Sequence, residues 1–295
     1  MAAKIIDGKA IADRLRAEYR LRVADLQSRY GVTPALAVLL VGENPASRSY
    51  VRGKISGCKQ VGIRSELIEL PVSVTEGELL ARIRALNEDP ATHGILVQLP
   101  LPPQIRVASV VEQISVEKDV DGFHLYNMGG LVTGNTVFSP CTPYGVQKIL
   151  EIEQIPVEGR NVVVVGASNL VGKPTALMLM QQEATVSICH VKTRDLGQYT
   201  LLADILVVAA GVPNLIVPQM VRTGAVVIDV GFNRLPDGRI VGDVDFDRVK
   251  EKASYITPVP GGVGQMTVTM LLHNTILSAE RASQSVVSPF RRASG

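Results

Sequence analysis

The amino-acid sequence predicts an α/β fold made of two domains. The chain has 295 residues, more than the roughly 100 to 200 of a typical single domain. Apolar residues make up 46% of the chain and charged residues 20%, which is enough for a sizeable core. Short apolar runs alternate with helical patterns on both sides of a Pro- and Gly-bearing stretch at residues 129–143. This alternation is typical of βαβ units and predicts mainly parallel sheets.

The first half of the chain is predicted to begin with a helix. Charges spread through residues 1–20 leave no room for the apolar core of a signal peptide and favour a helix there. Apolar or aromatic side chains recur in steps of three or four across residues 10–30, which indicates a surface helix ending at Gly31. Three buried strands and two intervening helices should follow, the strands at 36–41, 64–70 and 94–99 and the helices at 46–61 and 75–86.

The second half repeats the alternation and predicts a Rossmann-like α/β domain. Its strands are expected at residues 161–165, 185–189, 205–210 and 225–230. A helix at 266–282 should pack back on the first domain, and the tail from Ala282 is expected to be frayed. The predicted domains are therefore residues 1–140 plus 266–295 and residues 141–265, with a cleft between them.

Composition excludes several classes of function. Seven Tyr, five Phe and no Trp are too few for successive base stacking, and 30 basic against 28 acidic residues give no cationic excess for nucleic acid. Three cysteines, Cys58, Cys141 and Cys189, lie far apart and predict neither a disulfide framework nor a metal site. Apolar runs are too short to span a membrane. We therefore expect a soluble, cytoplasmic protein that acts on a small molecule.

A glycine-rich turn from Gly166 to Pro174 follows the predicted strand at 161–165 and precedes a predicted helix. Glycines let the backbone approach a pyrophosphate, whose charge the free N–H groups of a helix N-terminus can meet. The turn is not a P-loop, because Pro174 stands where a magnesium-binding Ser or Thr belongs. A tight turn without a ligand is the alternative interpretation, but the strands that follow favour a dinucleotide site.

Two side chains share one face of the helix predicted at 46–61. Asn44 and Pro45 suit the cap and the first position of this helix. Tyr50 and Lys54 are four residues apart, so they lie one helical turn from each other. The structural interpretation is a half-buried packing tyrosine and a solvated lysine. The functional interpretation is an aromatic platform with a proton-transferring amine beside it.

Two further polar residues allow similar alternatives. Gln98, in ILVQLPLPP, is expected at the carboxyl end of a parallel strand, where open α/β sheets bind ligands, although such an amide is also a common structural hydrogen-bonding group. Asp121, in EKDVDGFH, precedes Gly122 in an acidic turn, which Asp favours for local reasons alone. None of the four polar residues establishes a site by itself.

Seven segments in a fixed order, from about residue 4 to residue 280, carry a family resemblance. They are NPASRSYVRGKISGCKQVGI, GILVQLPLP, EKDVDGFH, PCTPYGV, VVVVGASNLVGKP, VIDVGFNR and TPVPGGVGQMTV. Together they resemble the bifunctional methylenetetrahydrofolate dehydrogenase/methenyltetrahydrofolate cyclohydrolase family. The resemblance implies a folate-binding catalytic domain and a dinucleotide-binding domain.

The resemblance also implies two reactions at one site. Methylenetetrahydrofolate gives a hydride to a nicotinamide ring, and the methenyl product is hydrolysed to 10-formyltetrahydrofolate. It assigns ring stacking to Tyr50, catalysis to Lys54, the holding of that lysine to Gln98 and pterin binding to Asp121. A substrate loop is implied at Pro260, Gly261 and Gly262, and the protein is implied to be a homodimer.

A nicotinamide nucleotide site is implied as well, at Gly166, Ala167, Ser168, Gly172, Val191 and Phe232. In the family Arg is common at the position of Ala167 and Ser at that of Val191, and both bind the 2′-phosphate of NADP. Neither side chain present here can do so, although Lys192 or Arg194 can compensate. Because no acidic residue follows the second strand to favour NAD, both nucleotides stay open, with NADP the family default. Gln265 replaces a usual proline, which leaves the shape of that loop open.

Two other functions stay open at this stage. Ala167 and Val191 suggest a cyclohydrolase whose nucleotide site has decayed, which would hydrolyse without redox chemistry. A non-catalytic nucleotide- or folate-binding protein is the alternative from another class. Lys54 together with Gln98 argues against it, since binding alone does not need an oriented amine.

Overall fold

The computed structural model describes residues 2–287. Along these residues strands and helices alternate for most of the chain. The elements are β1 (Lys4–Ile5), α1 (Gly8–Tyr30), β2 (Ala35–Val41), α2 (Pro45–Val61), β3 (Arg64–Leu70), α3 (Glu76–Glu88), β4 (Gly94–Val97), α4 (Val107–Gln113), α5 (Leu125–Thr133), α6 (Cys141–Ile152), β5 (Asn161–Val165), α7 (Gly172–Met180), β6 (Thr185–Cys189), α8 (Leu196–Thr200), β7 (Ile205–Val208), β8 (Val226–Asp229), β9 (Asn233–Arg234), β10 (Ile240–Val241), α9 (Phe246–Val249), β11 (Tyr255–Ile256) and α10 (Val263–Val287). Short 3₁₀ turns lie at Val116–Lys118 and Pro218–Met220.

The described residues form two compact units. Residues 2–13 and 140–267 make the six-stranded unit, and residues 14–139 and 268–287 make the three-stranded unit. The changes of unit fall inside α1 and α10, so each of these helices has residues in both units. The two-domain α/β fold predicted from the sequence is confirmed. Which stretch binds which ligand stays a prediction.

The six-stranded unit is built on a parallel sheet. Its strand order is β1-β11-β8-β7-β5-β6, and β5 lies between β6 and β7. The apolar side chains of these strands form one core, which includes Val163, Leu206 and Val227 at 3% exposure or less. A separate antiparallel pair joins β9 and β10. The carboxyl ends of β5, β7 and β8 lie at one edge of the sheet, because parallel strands run in the same direction.

The three-stranded unit contains a second parallel sheet, of order β3-β2-β4. Every residue of the central strand β2 is buried, whereas the edge strand β3 has a single buried residue, Ile68. The expectation of a buried strand at residues 64–70 was therefore wrong in burial although right in extent, because an edge strand leaves one side to solvent. The core of this unit includes Leu39, Ile83 and Ile95.

Other expectations need correction at the chain ends. Residues 4 and 5 form β1, paired with β11, where the sequence predicted a helix; the helix starts at Gly8. The last helix continues to Val287, so the segment predicted as a tail from Ala282 begins within α10. The rest of the predicted tail, including Arg291 and Arg292, lies outside the described residues. Within residues 2–287, none of the helices combines the length and apolar character needed to cross a membrane.

Candidate active site

Helix α2 begins where its sequence predicts. The side chain of Asn44 accepts hydrogen bonds from the N–H groups of Ala46 and Ser47, and Pro45 occupies the first turn. The helix ends at Gly62, whose φ of 86° is readily adopted by glycine. This frame fixes the direction of every side chain on α2, including Tyr50 and Lys54.

Lys54 is held by a neutral amide. Its Nζ donates to Oε1 of Gln98 at 3.0 Å, while Nε2 of Gln98 donates to the carbonyl oxygen of Leu99 at 2.7 Å. The second bond sets the orientation of the amide, so that its oxygen faces the amine. The N–H of Gln98 donates to the carbonyl oxygen of Leu39 at 2.9 Å, which keeps its backbone in register with β2 just past the end of β4. Within the described residues, Lys54 has no carboxylate partner within ion-pair distance.

Tyr50 lies one turn before Lys54 on α2. Its side chain is 43% exposed, so it is not a core residue. An exposed aromatic ring offers a face on which a flat heterocycle can stack. The structure therefore places an aromatic surface and an oriented amine on one helix, as the functional interpretation requires.

Asp121 stands on a turn whose backbone is anchored at successive residues. Just before it, Nζ of Lys118 donates to three carbonyl oxygens at the end of α3, those of Leu86, Asn87 and Asp89. The carbonyl oxygen of Val120 accepts from Nδ2 of Asn274 on α10 at 2.9 Å. Asp121 itself is partly exposed. A carboxylate on a fixed turn can accept paired hydrogen bonds from a ligand.

Asp119 is a buried member of this turn that the sequence did not reveal. It is 2% exposed, and its Oδ2 accepts from the N–H of His124 at 2.7 Å and from Nδ2 of Asn127 at 2.9 Å. Burial raises the pKa of Asp119 to about 6, although both hydrogen bonds oppose the rise. In EKDVDGFH both aspartates suit a turn, so nothing local marks which of them is buried.

The glycine-rich turn follows β5 in the six-stranded unit. Gly166 has a φ of 115°, and a Cβ there would overlap the carbonyl oxygen of Ala209. A Cβ on Gly172, the first residue of α7, would overlap the carbonyl oxygen of Gly166. The Ser168 hydroxyl accepts from the N–H groups of Val171 and Gly172, at 3.1 and 3.4 Å. This close backbone packing matches the cradle that a pyrophosphate needs.

The turn after β6 carries Val191, one of the residues at which the sequence predicts contact with the nucleotide. Val191 is 95% exposed, and Ala167 in the glycine-rich turn is partly exposed. The turn is held by His190 and Thr193, since the N–H of His190 donates to Oγ1 of Thr193 at 2.9 Å. The side chains of Lys192 and Arg194 are exposed and pair with no other described residue. Two exposed cations thus lie in the turn that follows the second strand of this unit's βαβ motif.

The loop at Pro260, Gly261 and Gly262 belongs to the six-stranded unit. Gly261 has a φ of 111°, and its carbonyl oxygen accepts from the N–H of Lys9 at 3.1 Å. A Cβ on Gly8 would overlap the carbonyl oxygen of Gly262, so the main chain at Gly8 packs directly against the main chain of this loop. Gln265 lies in the first turn of α10, and its N–H donates to the carbonyl oxygen of Gly262 at 3.3 Å.

Two buried aspartates in the six-stranded unit were also missed from the sequence. Asp229, at the end of β8, is 3% exposed, and Asp243 is fully buried. Burial raises the pKa of Asp229 to about 7, against hydrogen bonds from the N–H groups of Asp243, Val244 and Gly231. A sequence signal was present for Asp229, because it stands in the apolar run AVVIDV, where only a satisfied carboxylate can be buried.

The predicted site residues are thus brought together only in part. Lys54 and Gln98 are in contact, and Tyr50 and Asp121 belong to the same unit. The glycine-rich turn, Val191, the exposed Phe232 and the loop at 260–262 belong to the other unit. Among residues 2–287, no cluster of three or more His, Cys, Asp or Glu side chains is arranged to hold a metal ion.

Family models match both halves of the chain. Residues 6–121 match the tetrahydrofolate dehydrogenase/cyclohydrolase catalytic domain. Residues 140–283 match the tetrahydrofolate dehydrogenase/cyclohydrolase NAD(P)-binding domain. The second match begins at the residue where the chain enters the six-stranded unit for the second time.

Full-length relatives agree with these matches. The bifunctional protein FolD of Nitrosospira multiformis is 58% identical over 96% of this chain and 98% of its own length. The crystal structure of the bifunctional FolD methylenetetrahydrofolate dehydrogenase/cyclohydrolase from Campylobacter jejuni is 51% identical, with a TM-score of 0.93 over 95% of this chain and 99% of that one. The Trypanosoma brucei enzyme, solved with NADP and an inhibitor, is 39% identical, with a TM-score of 0.92 over 95% of this chain and 98% of that one.

Proposed function

The chain belongs to the tetrahydrofolate dehydrogenase/cyclohydrolase family, and from that premise we propose that one folate site around Lys54 serves both reactions. The enzyme oxidises 5,10-methylenetetrahydrofolate to 5,10-methenyltetrahydrofolate with NAD(P) and hydrolyses that product to 10-formyltetrahydrofolate. When bound, the nucleotide accepts the hydride from the methylene carbon. The remaining steps are proton transfers and positioning, which side chains of this chain can supply.

The contact between Lys54 and Gln98 carries the proposal. A lysine paired with a carboxylate would be held as an ammonium ion, whereas the neutral Oε1 of Gln98 orients the amine without fixing its proton. In the hydrolysis, water adds to the cationic methenyl carbon, and Lys54 Nζ takes a proton from that water and gives it to N5 of the pterin as the bond from the methenyl carbon to N5 breaks. The second proton of the water passes to solvent as the formyl C=O forms. Tyr50 stacks on the pterin, and Asp121 binds its amino group and ring N–H.

Replacing Lys54 tests this role directly. We expect Lys54→Ala to lower the cyclohydrolase rate at least about 100-fold, the usual contribution of a positioned acid or base. Lys59→Ala is the matched control, because Lys59 is an exposed lysine on the same helix. Both variants should unfold at the temperature of the unmodified protein. Cyclohydrolase activity of Lys54→Ala equal to that of Lys59→Ala would refute the proposed role.

We propose NADP as the nucleotide of this enzyme. The support is the set of exposed cations after β6, Lys192 and Arg194, together with the absence of an acidic residue between Cys189 and Arg194 that could bind an adenosine ribose. The Trypanosoma brucei relative was solved with NADP. The ratio of dehydrogenase kcat/KM with NADP to that with NAD is the measurement. It should exceed one, fall in the double variant Lys192→Ala/Arg194→Ala, and rise in Ala167→Arg.

Two more proposals follow from the family resemblance. We infer that the enzyme is a homodimer and that it works in the cytoplasm. Sedimentation equilibrium of the full chain tests the first, with a dimer mass expected at micromolar concentration. Fractionation of cells that produce the protein tests the second. A monomer, or recovery with membranes, would overturn the corresponding proposal.

A further inference from the structure

The proposed roles leave unused a pair of buried aspartates in the six-stranded unit. Asp229 and Asp243 lie beneath two loops at the carboxyl edge of the sheet. We call residues 209–211, which follow β7, the β7 loop, and residues 230–233, which follow β8 and end at the first residue of β9, the β8 loop. Between them the two aspartates hold both loops through their carboxylate oxygens.

Strand order determines which half of a dinucleotide these loops face. The chain passes from β5 to its neighbour β6 and then crosses back to β7, which pairs with the opposite side of β5. The direction in which successive strands are added to the sheet therefore reverses at β5. A dinucleotide lies across such a reversal with its pyrophosphate at the turn after the first strand. Its adenosine half extends toward β6. The β7 and β8 loops therefore face the nicotinamide half.

Asp243 ties the two loops to each other. Its Oδ2 accepts from the N–H groups of Ala210 and Gly211 in the β7 loop, at 2.7 and 2.8 Å. Its Oδ1 accepts from Nδ2 of Asn233 in the β8 loop at 2.8 Å. Asp243 is fully buried, so water does not compete for these bonds. A single carboxylate thus sets the spacing of both loops.

Asp229 holds Asp243 in place. Oδ1 of Asp229 accepts from the N–H of Asp243 at 3.0 Å and from that of Gly231 at 2.9 Å. Oδ2 of Asp229 accepts from the N–H of Val244 at 2.9 Å. A Cβ on Gly231 would overlap Asp243, and a Cβ on Gly242 would overlap Asp229. The main chain therefore approaches both carboxylates as closely as only glycine allows.

We propose that Asp243 is a positioning residue for the nicotinamide half of the nucleotide and that it supports the dehydrogenase reaction without supporting the cyclohydrolase reaction. The inference rests on the proposed function. Phe232 lies between Gly231 and Asn233, the two anchored points of the β8 loop. Hydrogen bonds to an ionised acceptor are stronger than those to a neutral one, so neutralising Asp243 loosens both loops.

The two activities of one protein provide the test. In Asp243→Asn the amide oxygen can still accept from the β7 loop, and its NH₂ can donate to Asn233 once the Asn233 amide turns over. We expect the KM for NADP to rise about tenfold or more, the effect of losing a charge-assisted bond. Cyclohydrolase kcat/KM, measured without nucleotide, should stay within about twofold of the unmodified enzyme. A purely structural role would lower both activities together.

Two further variants keep the test decisive. Asp204→Asn is the matched control, because Asp204 accepts from the N–H of Asn161 at 2.9 Å at the opposite edge of the same sheet; its KM for NADP should not change. Asn233→Ala removes one of the bonds to Asp243 and should raise the same KM by a smaller factor. Asn233→Ala also serves as the test of the proposal if Asp243→Asn does not fold.

Three outcomes separate the ideas. An unchanged KM for NADP in both Asp243→Asn and Asn233→Ala overturns the positioning role. A parallel loss of both activities, with a lowered unfolding temperature, also overturns it in favour of a structural role. Absence of dehydrogenase activity in the unmodified protein with either nucleotide would instead overturn the proposed function itself.

Discussion

The two compact units hold their site loops with buried carboxylates in different ways. In the three-stranded unit Asp119 accepts from the N–H of His124 and also acts through a second side chain, since Asn127 donates to it and accepts in turn from the N–H groups of Val137 and Phe138. In the six-stranded unit Asp229 and Asp243 accept mostly from main-chain N–H groups directly. Among the described residues, the one side-chain donor is the amide of Asn233, which donates to Asp243. The N–H of Asp229 itself donates to Oγ1 of Thr257.

The difference shows what each arrangement demands of the sequence. A relay through Asn127 needs a complementary pair of side chains, whose donor and acceptor can in principle be exchanged. Direct binding needs the main chain to come close, which only glycine permits at positions 231 and 242. The three-stranded unit should therefore tolerate an inverted pair, whereas the six-stranded unit should tolerate no methyl group added at Gly231 or Gly242.

The largest effect is expected for Gly242→Ala. The new Cβ would overlap Oδ2 of Asp229, so a buried carboxylate must leave its donors. We expect a loss of about 3 to 5 kcal/mol in the free energy of unfolding, as for other uncompensated buried charges. Gly264→Ala is the control, because a Cβ there meets open space. Urea denaturation compares the two, and equal stabilities would contradict the steric argument.

An exchange of Asp119 and Asn127 should have an intermediate effect. Asp119→Asn replaces the charged acceptor of two hydrogen bonds with a neutral one, and Asn127→Asp sets a second carboxylate against that of Asp119. Each single change should therefore cost about 1 to 3 kcal/mol. The double variant restores a donor facing an acceptor and should recover at least about half of the summed loss. A double-mutant cycle measured by urea denaturation gives the coupling energy. If the stability losses of the two single variants simply add in the double variant, Asn127 does not connect Asp119 to the main chain.

The two units should also differ in the pH dependence of their stability. Burial raises the pKa of Asp119 to about 6 and that of Asp229 to about 7, from an ordinary value of 3.8. The folded protein thus keeps these protons to higher pH than the unfolded chain does. Each raised pKa therefore adds its full contribution to the free energy of unfolding below about pH 4, and this contribution is lost as the pH rises through the pKa of the folded state.

The two aspartates should lose this contribution over different ranges. Asp119→Asn should flatten the pH dependence of unfolding free energy up to about pH 6, and Asp229→Asn up to about pH 7, by about 1.4 kcal/mol for each unit of pKa difference. Urea denaturation at half-unit steps from pH 4 to about pH 8 measures both curves. Curves parallel to that of the unmodified protein would show that neither carboxyl group retains its proton on folding.

Local signals predicted much of the fold. Asn44 and Pro45 placed the start of α2 correctly, and the apolar runs gave β3, β5 and β6 with their observed bounds. Two-residue strands such as β1 and β11 could not be predicted, because so short a run has no period. They form by pairing with each other across the length of the chain.

The site was predictable where its residues have local signatures. The spacing of Tyr50 and Lys54 and the position of Gln98 at a strand end are visible in the sequence, and the contact between Lys54 and Gln98 agrees with them. Asp119 and Asp243 could not be distinguished from ordinary turn aspartates. Their burial depends on donors supplied from elsewhere in the chain, as when the N–H groups of Ala210 and Gly211 reach Asp243.

The pairing of β1 with β11 has a consequence for the protein during its synthesis. Lys4 pairs with Tyr255, so the edge of the six-stranded sheet stays incomplete until residue 256 has left the ribosome. The three-stranded unit is closed late as well, since Asn274 donates to the carbonyl oxygens of Val120 and Ser139. Neither unit can therefore finish folding before the other is made. A nascent chain truncated at residue 250 should be degraded by protease in both halves, rather than leave one resistant domain.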